Sequence, residues 1–200
     1  MSARIYVEGG GAGELLDTLF RQGWNEFFRR AGLVGRMPRV VRGQGRLRTF
    51  DLFVTRVRNP RAGELPLLLV DSEEAVAPAH TAWQHLKARP GDNWDRPNGV
   101  ADHQAFLMVQ VMETWFLADR ALLRDYFGPS LREAHLRAWP ALEQVSKPDV
   151  MNALEQATAG CDKRYSKGKV SFELLAKVNP AHVEAACPHA RSLLDRLRTL

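Results

Sequence analysis

Four short apolar runs, separated by longer segments with helical periodicity, constrain the fold of this chain more than any other feature. The runs are residues 5–7, 37–41, 65–70 and 105–112. The third is almost continuously apolar, which is typical of a strand that is covered on both faces. Strands that alternate with helices predict βαβ units, so we expect an α/β protein with a mainly parallel sheet flanked by helices.

The segments between and after these runs are predicted to be helical. The clearest is residues 14–30, where large apolar side chains recur at the spacing of one helix face. Further helices are predicted at residues 45–58, 78–87, 114–127, 131–136, 148–157, 171–177 and from 180 onwards. Residues 89–99 are predicted to form an ordered loop, because they contain Trp94. We therefore predict an α/β domain at residues 1–128 and a helical C-terminal extension, residues 129–200, packed on it.

Composition is typical of soluble globular proteins, and the cytoplasm is the expected compartment because the N-terminus lacks a signal pattern. Hydrophobic residues make up 45% and charged residues 26% of it, as is usual for such proteins. No apolar stretch approaches the roughly 20 residues of a membrane span, so no membrane partner is expected. The net charge of +5 permits a polyanionic partner. Cys161 and Cys187 lack the spacing of a metal site and are expected to be buried or idle thiols.

Acidic residues follow three of the apolar runs. Glu8 comes after the first run, Asp71 and then Glu73 after the third, and Glu113 after the fourth. The carboxyl ends of parallel strands share one edge of the sheet, and open α/β sheets form their sites there. Asp71 and Glu73 are two positions apart, so in an extended segment they point the same way. A carboxylate cluster at this edge suits a hard divalent cation such as Mg²⁺ or Mn²⁺.

A glycine-rich turn, residues 9–13, follows Glu8. It does not match the dinucleotide-binding fingerprint, because Glu14 stands where the third glycine should be, and it lacks the lysine and hydroxyl residue of a P-loop. In the remaining interpretation, Glu8 is the functional residue of this motif. Gly9, Gly10 and Gly11 would then let the backbone and a substrate phosphate approach each other.

Two of these motifs resemble those of Toprim domains, which are shared by topoisomerases, bacterial primases and the overcoming-lysogenization-defect nucleases. Val7-Glu8-Gly9 matches the Glu-Gly at the end of their first strand. Asp71-Ser72-Glu73 resembles their Asp-x-Asp, with glutamate in place of the second aspartate.

Nearly the whole chain is similar to a Toprim-like bacterial family catalogued as domain of unknown function 4276. The most specific stretch is residues 102–119, which contain Met-Glu-Thr-Trp-Phe, and residues 165–169, Tyr-Ser-Lys-Gly-Lys, resemble the family as well. Members often lie beside ATPases in mobile or defence-associated gene neighbourhoods. The resemblance therefore implies a role in a defence or mobile-element system and an ATPase partner protein.

The resemblance also implies metal-dependent cleavage of nucleic-acid phosphodiesters. Asp71 and Glu73 would hold the metal, and Glu113 would complete the site or bind a second ion. Glu8 would act as a third ligand or as the general acid/base. Mg²⁺ or Mn²⁺ held in this way neutralises charge at phosphorus and activates water.

Several other side chains have both a functional and a structural interpretation. Lys167 and Lys169, on either side of one glycine, would neutralise phosphate oxygens or the leaving group, or else form a solvated loop. His103 begins its strand and is expected at the opposite edge of the sheet, which favours a structural or loop-anchoring role over that of a proton shuttle. Trp115 and Phe116 are expected in the core.

Two further hypotheses stay open. One is a non-catalytic or conditionally active subunit that docks on an ATPase. This hypothesis stays open because Glu73 replaces the second aspartate of the Toprim motif. The other is a small-molecule phosphohydrolase or nucleotide-binding domain, for which no base-binding motif is evident.

Overall fold

The sheet of this protein is entirely parallel. The computed structural model describes residues 2–11 and 13–200, so Ala12 of the glycine turn lies outside the described residues. The strands are β1 (Ser2–Val7), β2 (Arg39–Arg42), β3 (Glu64–Asp71) and β4 (Ala105–Met108), in the order β2-β1-β3-β4. Each neighbouring pair is parallel, which confirms the α/β class and the four-stranded sheet.

The strand order reverses between β1 and β3. From β1 the chain adds β2 on one side and then returns to add β3 on the other side. Such a reversal opens a crevice at the carboxyl ends of the two central strands, where α/β proteins commonly bind ligands.

Helices cover the sheet and make up the C-terminal third. They are α1 (Glu14–Arg30), α2 (Arg46–Arg58), α3 (Ala82–Ala88), α4 (Thr114–Leu117), α5 (Arg120–Phe127), α6 (Lys147–Thr158), α7 (Lys169–Leu175), α8 (Pro180–Ala186) and α9 (Pro188–Arg198). α1 has the predicted bounds, and α2 begins one residue later than predicted. None of the described helices is long and apolar enough to span a membrane.

The fourth strand is shorter than predicted. β4 ends at Met108, and Glu113 has a helical backbone conformation as the N-cap of α4. The prediction that Glu113 directly ends a strand is therefore wrong. Residues 109–112 are buried by packing outside the sheet ladder, and an apolar run alone cannot distinguish such a segment from a strand.

Two long predicted helices are each divided in the structure. Asp119 separates α4 from α5, and its side chain accepts a hydrogen bond from the Leu122 N–H at 3.2 Å. Pro188 begins α9 after α8 has ended, as expected of a residue that has no N–H to donate. Residues 131–136 contain only a short 3₁₀ turn, Glu133–His135.

The two faces of the sheet bury two apolar cores. Alternate strand residues such as Val7 and Leu69 pack with α1 and the C-terminal helices, whereas Tyr6 and Leu68 pack with α2 and α3. α1 lies so close to α7 that a Cβ on Gly23 would be 2.8 Å from the Phe172 carbonyl oxygen. The first core thus joins residues from both sides of position 128, and the division into two domains there stays a prediction.

The loop at residues 89–99 is ordered through aromatic packing, as predicted. Trp94 is buried, and its ring stacks on Phe50 with centroids 4.2 Å apart. This stacking fixes the loop beside the start of α2.

Candidate metal centre

The adjacent ends of β1 and β3 bring Glu8 and Asp71 together. Val7 pairs with Leu69, and the Glu8 N–H continues the ladder by donating to the Leu69 carbonyl at 3.0 Å. The Asp71 N–H donates to Glu8 Oε2 at 3.3 Å. Glu8, Asp71 and Glu73 each offer a ligand oxygen, and these three oxygens lie within 4.8 Å of one another. The predicted convergence of Glu8 and Asp71 at one edge of the sheet is confirmed.

Asp71 is a buried carboxylate among other anions. Its side-chain Oδ1 accepts a hydrogen bond from the Met112 N–H at 3.0 Å, which ties β3 to the segment after β4. Burial, followed by repulsion from Glu8 and Glu113, raises the pKa of Asp71 well above its usual range, and Lys167 only partly opposes this. A bound cation would relieve this repulsion, so the environment of Asp71 suits a metal ligand.

Glu8 is held by Arg46, a residue to which the sequence analysis gave no role. Arg46 donates to Glu8 Oε2 at 2.8 Å and to the Asp71 carbonyl at 2.6 Å. Burial raises the pKa of Glu8 even though Arg46 acts in the opposite direction. A carboxylate fixed in this way is oriented towards Asp71 and has little freedom to turn away.

The loop at residues 89–99 fixes Arg46 in turn. Arg46 donates to Asp92 Oδ1 at 2.7 Å and to Asp92 Oδ2 at 2.6 Å, and its guanidinium lies 5.2 Å from the centre of the Trp94 ring. The Asp92 side chain is only 1% exposed. Arg46 is one arginine among many in the sequence, and its three partners are 25, 38 and 46 positions away, so no local signal identified it.

Glu73 reaches the cluster by a turn. β3 ends at Asp71, and Glu73 has a φ of 67°, in the left-handed region that costs energy for a residue with a side chain. The expectation that an extended backbone aligns Asp71 with Glu73 is therefore wrong, although the two carboxylates do converge. Lys147, in the first turn of α6, forms an ion pair with Glu73. Lys147 also received no role from the sequence.

Glu113 lies outside the three-carboxylate group but beside it. Its Oε1 accepts hydrogen bonds from the Tyr165 hydroxyl at 2.8 Å and the Ser171 hydroxyl at 3.3 Å. Its Oε2 is buried and has no hydrogen-bond partner among the described residues. Burial, together with the charge of Glu113, raises the pKa of Tyr165, so this hydroxyl stays a proton donor at neutral pH.

These groups line one cavity of about 440 Å³. Its lining includes the four acidic residues, the predicted phosphate-binding glycines and two lysines: Glu8, Gly9, Gly10, Gly11, Asp71, Glu73, Glu113, Lys147 and Lys167. Partial burial disfavours the charged form of Lys167, but Glu113, Asp71 and other carboxylates outweigh it and raise the pKa of Lys167. Lys167 therefore carries a positive charge at the cavity.

Lys169 is placed differently from Lys167. It begins α7, its side chain is 63% exposed, and its Nζ lies 4.0 Å from Glu173 Oε1. It is not among the residues that line the cavity. Of the two predicted lysines, the structure brings only Lys167 to the carboxylates.

The remaining candidates are where the sequence predicted them. His103 is exposed just before β4, at the opposite edge of the sheet. Trp115 and Phe116 are buried, and the Trp115 ring stacks on Phe27 with centroids 5.1 Å apart. Cys161 and Cys187 are buried free thiols, and within residues 2–11 and 13–200 neither belongs to a group with metal-binding geometry.

The fold and the site together define an α/β protein with a cluster of acidic residues, which could hold a metal ion, at the switch point of a parallel sheet. More particularly, the chain belongs to the family described as Domain of unknown function (DUF4276), whose model matches residues 7–198. The family expected from the sequence is confirmed. Comparison with curated proteins found no match, and comparison with solved structures found none either.

Proposed function

We propose that this protein is a metal-dependent nuclease on a Toprim-like sheet, which cleaves nucleic-acid phosphodiesters with Mg²⁺ or Mn²⁺. The observation that carries the proposal is the group of three carboxylates within 4.8 Å of one another in a cavity that also holds two lysines. The glutamate after β1 and the aspartate that ends β3 on the neighbouring strand support the relation to Toprim domains.

The residues present fit a hard divalent cation. Every candidate ligand atom is a carboxylate oxygen, which is the preferred donor for Mg²⁺ and Mn²⁺. The raised pKa values of Glu8 and Asp71 reflect anions held close together and away from water. The unpartnered Glu113 Oε2 adds a buried acceptor that the described residues leave unsatisfied. A bound cation supplies charge neutralisation at phosphorus and an activated water.

The cavity provides complementary groups for the phosphodiester. Lys167 is the better placed of the two predicted lysines to neutralise non-bridging oxygens and to donate a proton to the leaving oxygen, because it lies among the carboxylates and stays charged. The glycines after Glu8 leave the backbone accessible to a phosphate. Arg46 restrains Glu8, so we assign Glu8 as a ligand rather than as a mobile proton carrier.

A cleavage assay tests the proposal directly. Purified full-length chain should cut DNA or RNA in Mg²⁺ or Mn²⁺, and EDTA should stop it. Asp71→Asn should lower the rate by about 100-fold or more, in the range found when one group that stabilises the transition state is removed. Asp51→Asn is the matched control, since Asp51 is exposed on α2. Equal rates for the wild type and Asp71→Asn would place the activity elsewhere.

A conditionally active subunit is the second candidate, and one contact favours it. Glu73 is paired with Lys147, so a cation must compete with the lysine for this ligand. A partner that draws α6 away would release Glu73. Cation binding that appears only after Lys147→Met supports this candidate. The ATPase partner and the defence or mobile-element role are predictions carried by the family resemblance.

A further inference from the structure

We infer that the cavity accepts one unpaired nucleotide at a time, so that the substrate is a single strand or a frayed strand end and not an intact duplex. The inference rests on the proposed function for the position of the phosphate. Beyond it, the inference assigns the apolar side chains of the cavity lining to contacts with the sugar and base.

The four carboxylates of the cavity are buried to different extents. Asp71 is 7% and Glu113 1% exposed, whereas the side chains of Glu8 and Glu73 are 17% and 19% exposed. A phosphate must therefore enter the cavity to approach Asp71. The segment before α7 passes over the first turn of α1, where a Cβ on Gly168 would lie 3.4 Å from Leu16 Cδ2. Gly168 has a φ of 94°, a conformation that favours glycine. The C-terminal region thus contributes part of the cavity wall, including Lys167, Gly168 and Phe172.

The lining of the cavity is chemically mixed. Beside the carboxylates, lysines and glycines it contains four apolar side chains: Leu16, Met108, Met112 and Phe172. Phosphate and metal need only the charged groups and the glycines. Apolar side chains next to a phosphate site suit the flat face of a base, which packs on apolar or aromatic groups with little regard to sequence.

The size of the cavity agrees with one nucleotide. Its volume of about 440 Å³ falls in the range of roughly 300–1,000 Å³ that is typical of pockets for small ligands. In a duplex each base is stacked and paired, so a nucleotide can enter such a pocket only after it is extruded, at a cost in unstacking energy. An unpaired strand avoids most of that cost.

Binding measurements separate the role of the base from that of the phosphate. Full-length protein in Mg²⁺ is titrated by calorimetry with a nucleoside 5′-monophosphate, with ribose 5-phosphate and with inorganic phosphate. We expect the nucleotide to bind at least about tenfold more tightly than inorganic phosphate, because base stacking increases affinity by about this factor in other nucleic-acid-binding proteins. Equal affinities would overturn the inference.

A pair of neighbouring leucines provides a matched control. Leu16 lines the cavity, whereas Leu15 is 65% exposed on the same helical turn. Leu16→Ser should weaken nucleotide binding severalfold and leave phosphate binding unchanged, and Leu15→Ser should change neither. Circular dichroism confirms that both variants are folded. Loss of nucleotide and phosphate affinity together in a folded Leu16→Ser protein would contradict an apolar base site.

Cleavage of matched substrates separates this inference from the proposed function. A single strand, a blunt duplex and a duplex with a single-stranded tail, all of one sequence, are compared. The single strand or tail should be cut at least about tenfold faster than the blunt duplex. Equal cutting of the duplex overturns the inference and supports the nuclease. No cutting, combined with preferred nucleotide binding, contradicts the nuclease and supports the nucleotide site.

Discussion

Replacing Asp71 by asparagine tests the metal centre without removing the hydrogen bond that Asp71 makes. The asparagine Oδ1 can still accept from the Met112 N–H, which the wild-type carboxylate binds at 3.0 Å. The substitution removes one anion from a site where burial, followed by repulsion from Glu8 and Glu113, raises the pKa of Asp71. The metal-free variant is therefore expected to be at least as stable as the wild type at pH 8.

The expected magnitude follows from binding linkage. At a cation concentration 100 times Kd, binding stabilises the wild type by about 2.7 kcal/mol. For a chain of 200 residues, about 2–4 °C of Tm per kcal/mol gives a rise of about 5–10 °C. Outer-sphere changes already cost about 10–100-fold in metal affinity, so loss of a ligand should cost at least about 100-fold. The variant then gains only about 0.4 kcal/mol, or about 1 °C.

Thermal melts in EDTA measure the stability of the metal-free proteins, and melts in Mg²⁺ or Mn²⁺ measure the rise in Tm that the cation causes. The exposed Asp51→Asn variant should retain the wild-type shift. If Asp71→Asn shows the same cation-induced rise in Tm as the wild type, Asp71 is not a ligand. If the metal-free variant is several kcal/mol less stable than the wild type, the account of repulsion at Asp71 is wrong.

Three other perturbations follow from the same contacts. Arg46→Gln leaves the buried Asp92 carboxylate with less compensation and should destabilise the protein by about 3 kcal/mol in urea unfolding; the exposed Arg48→Gln should change stability by less than about 0.5 kcal/mol. Gly23→Ala should destabilise the protein by about 1–3 kcal/mol through overpacking against α7, even though alanine favours helix formation in an isolated helix. A stabilised variant would refute the close approach of α1 to α7. In EDTA the raised pKa values of Asp71 and Glu8 mean that the folded chain holds protons that the unfolded chain has released. The contribution of these two groups to stability should therefore fall as pH rises from about 4 towards neutrality. Denaturant titrations at a series of pH values should show the stability of Asp71→Asn increasing relative to that of the wild type over this range.

The sequence by itself determined the parallel α/β sheet and the edge at which its acidic residues meet. Alternation of apolar runs with helical segments is a local property, and the carboxyl ends of parallel strands coincide by geometry. The sequence alone therefore predicts that Glu8 and Asp71 lie close together. The bounds of α1 were predictable for the same reason, since its apolar periodicity is long and regular.

Only the tertiary structure decided how the site is held and closed. The run at residues 105–112 reads as one strand, yet its second half is buried by packing outside the sheet. Arg46 acquires its role from Glu8 and Asp92, and Lys147 from Glu73, all of them far away along the chain. Such contacts depend on the path of the chain in space, because ion pairs between distant residues leave no periodic signal in the sequence.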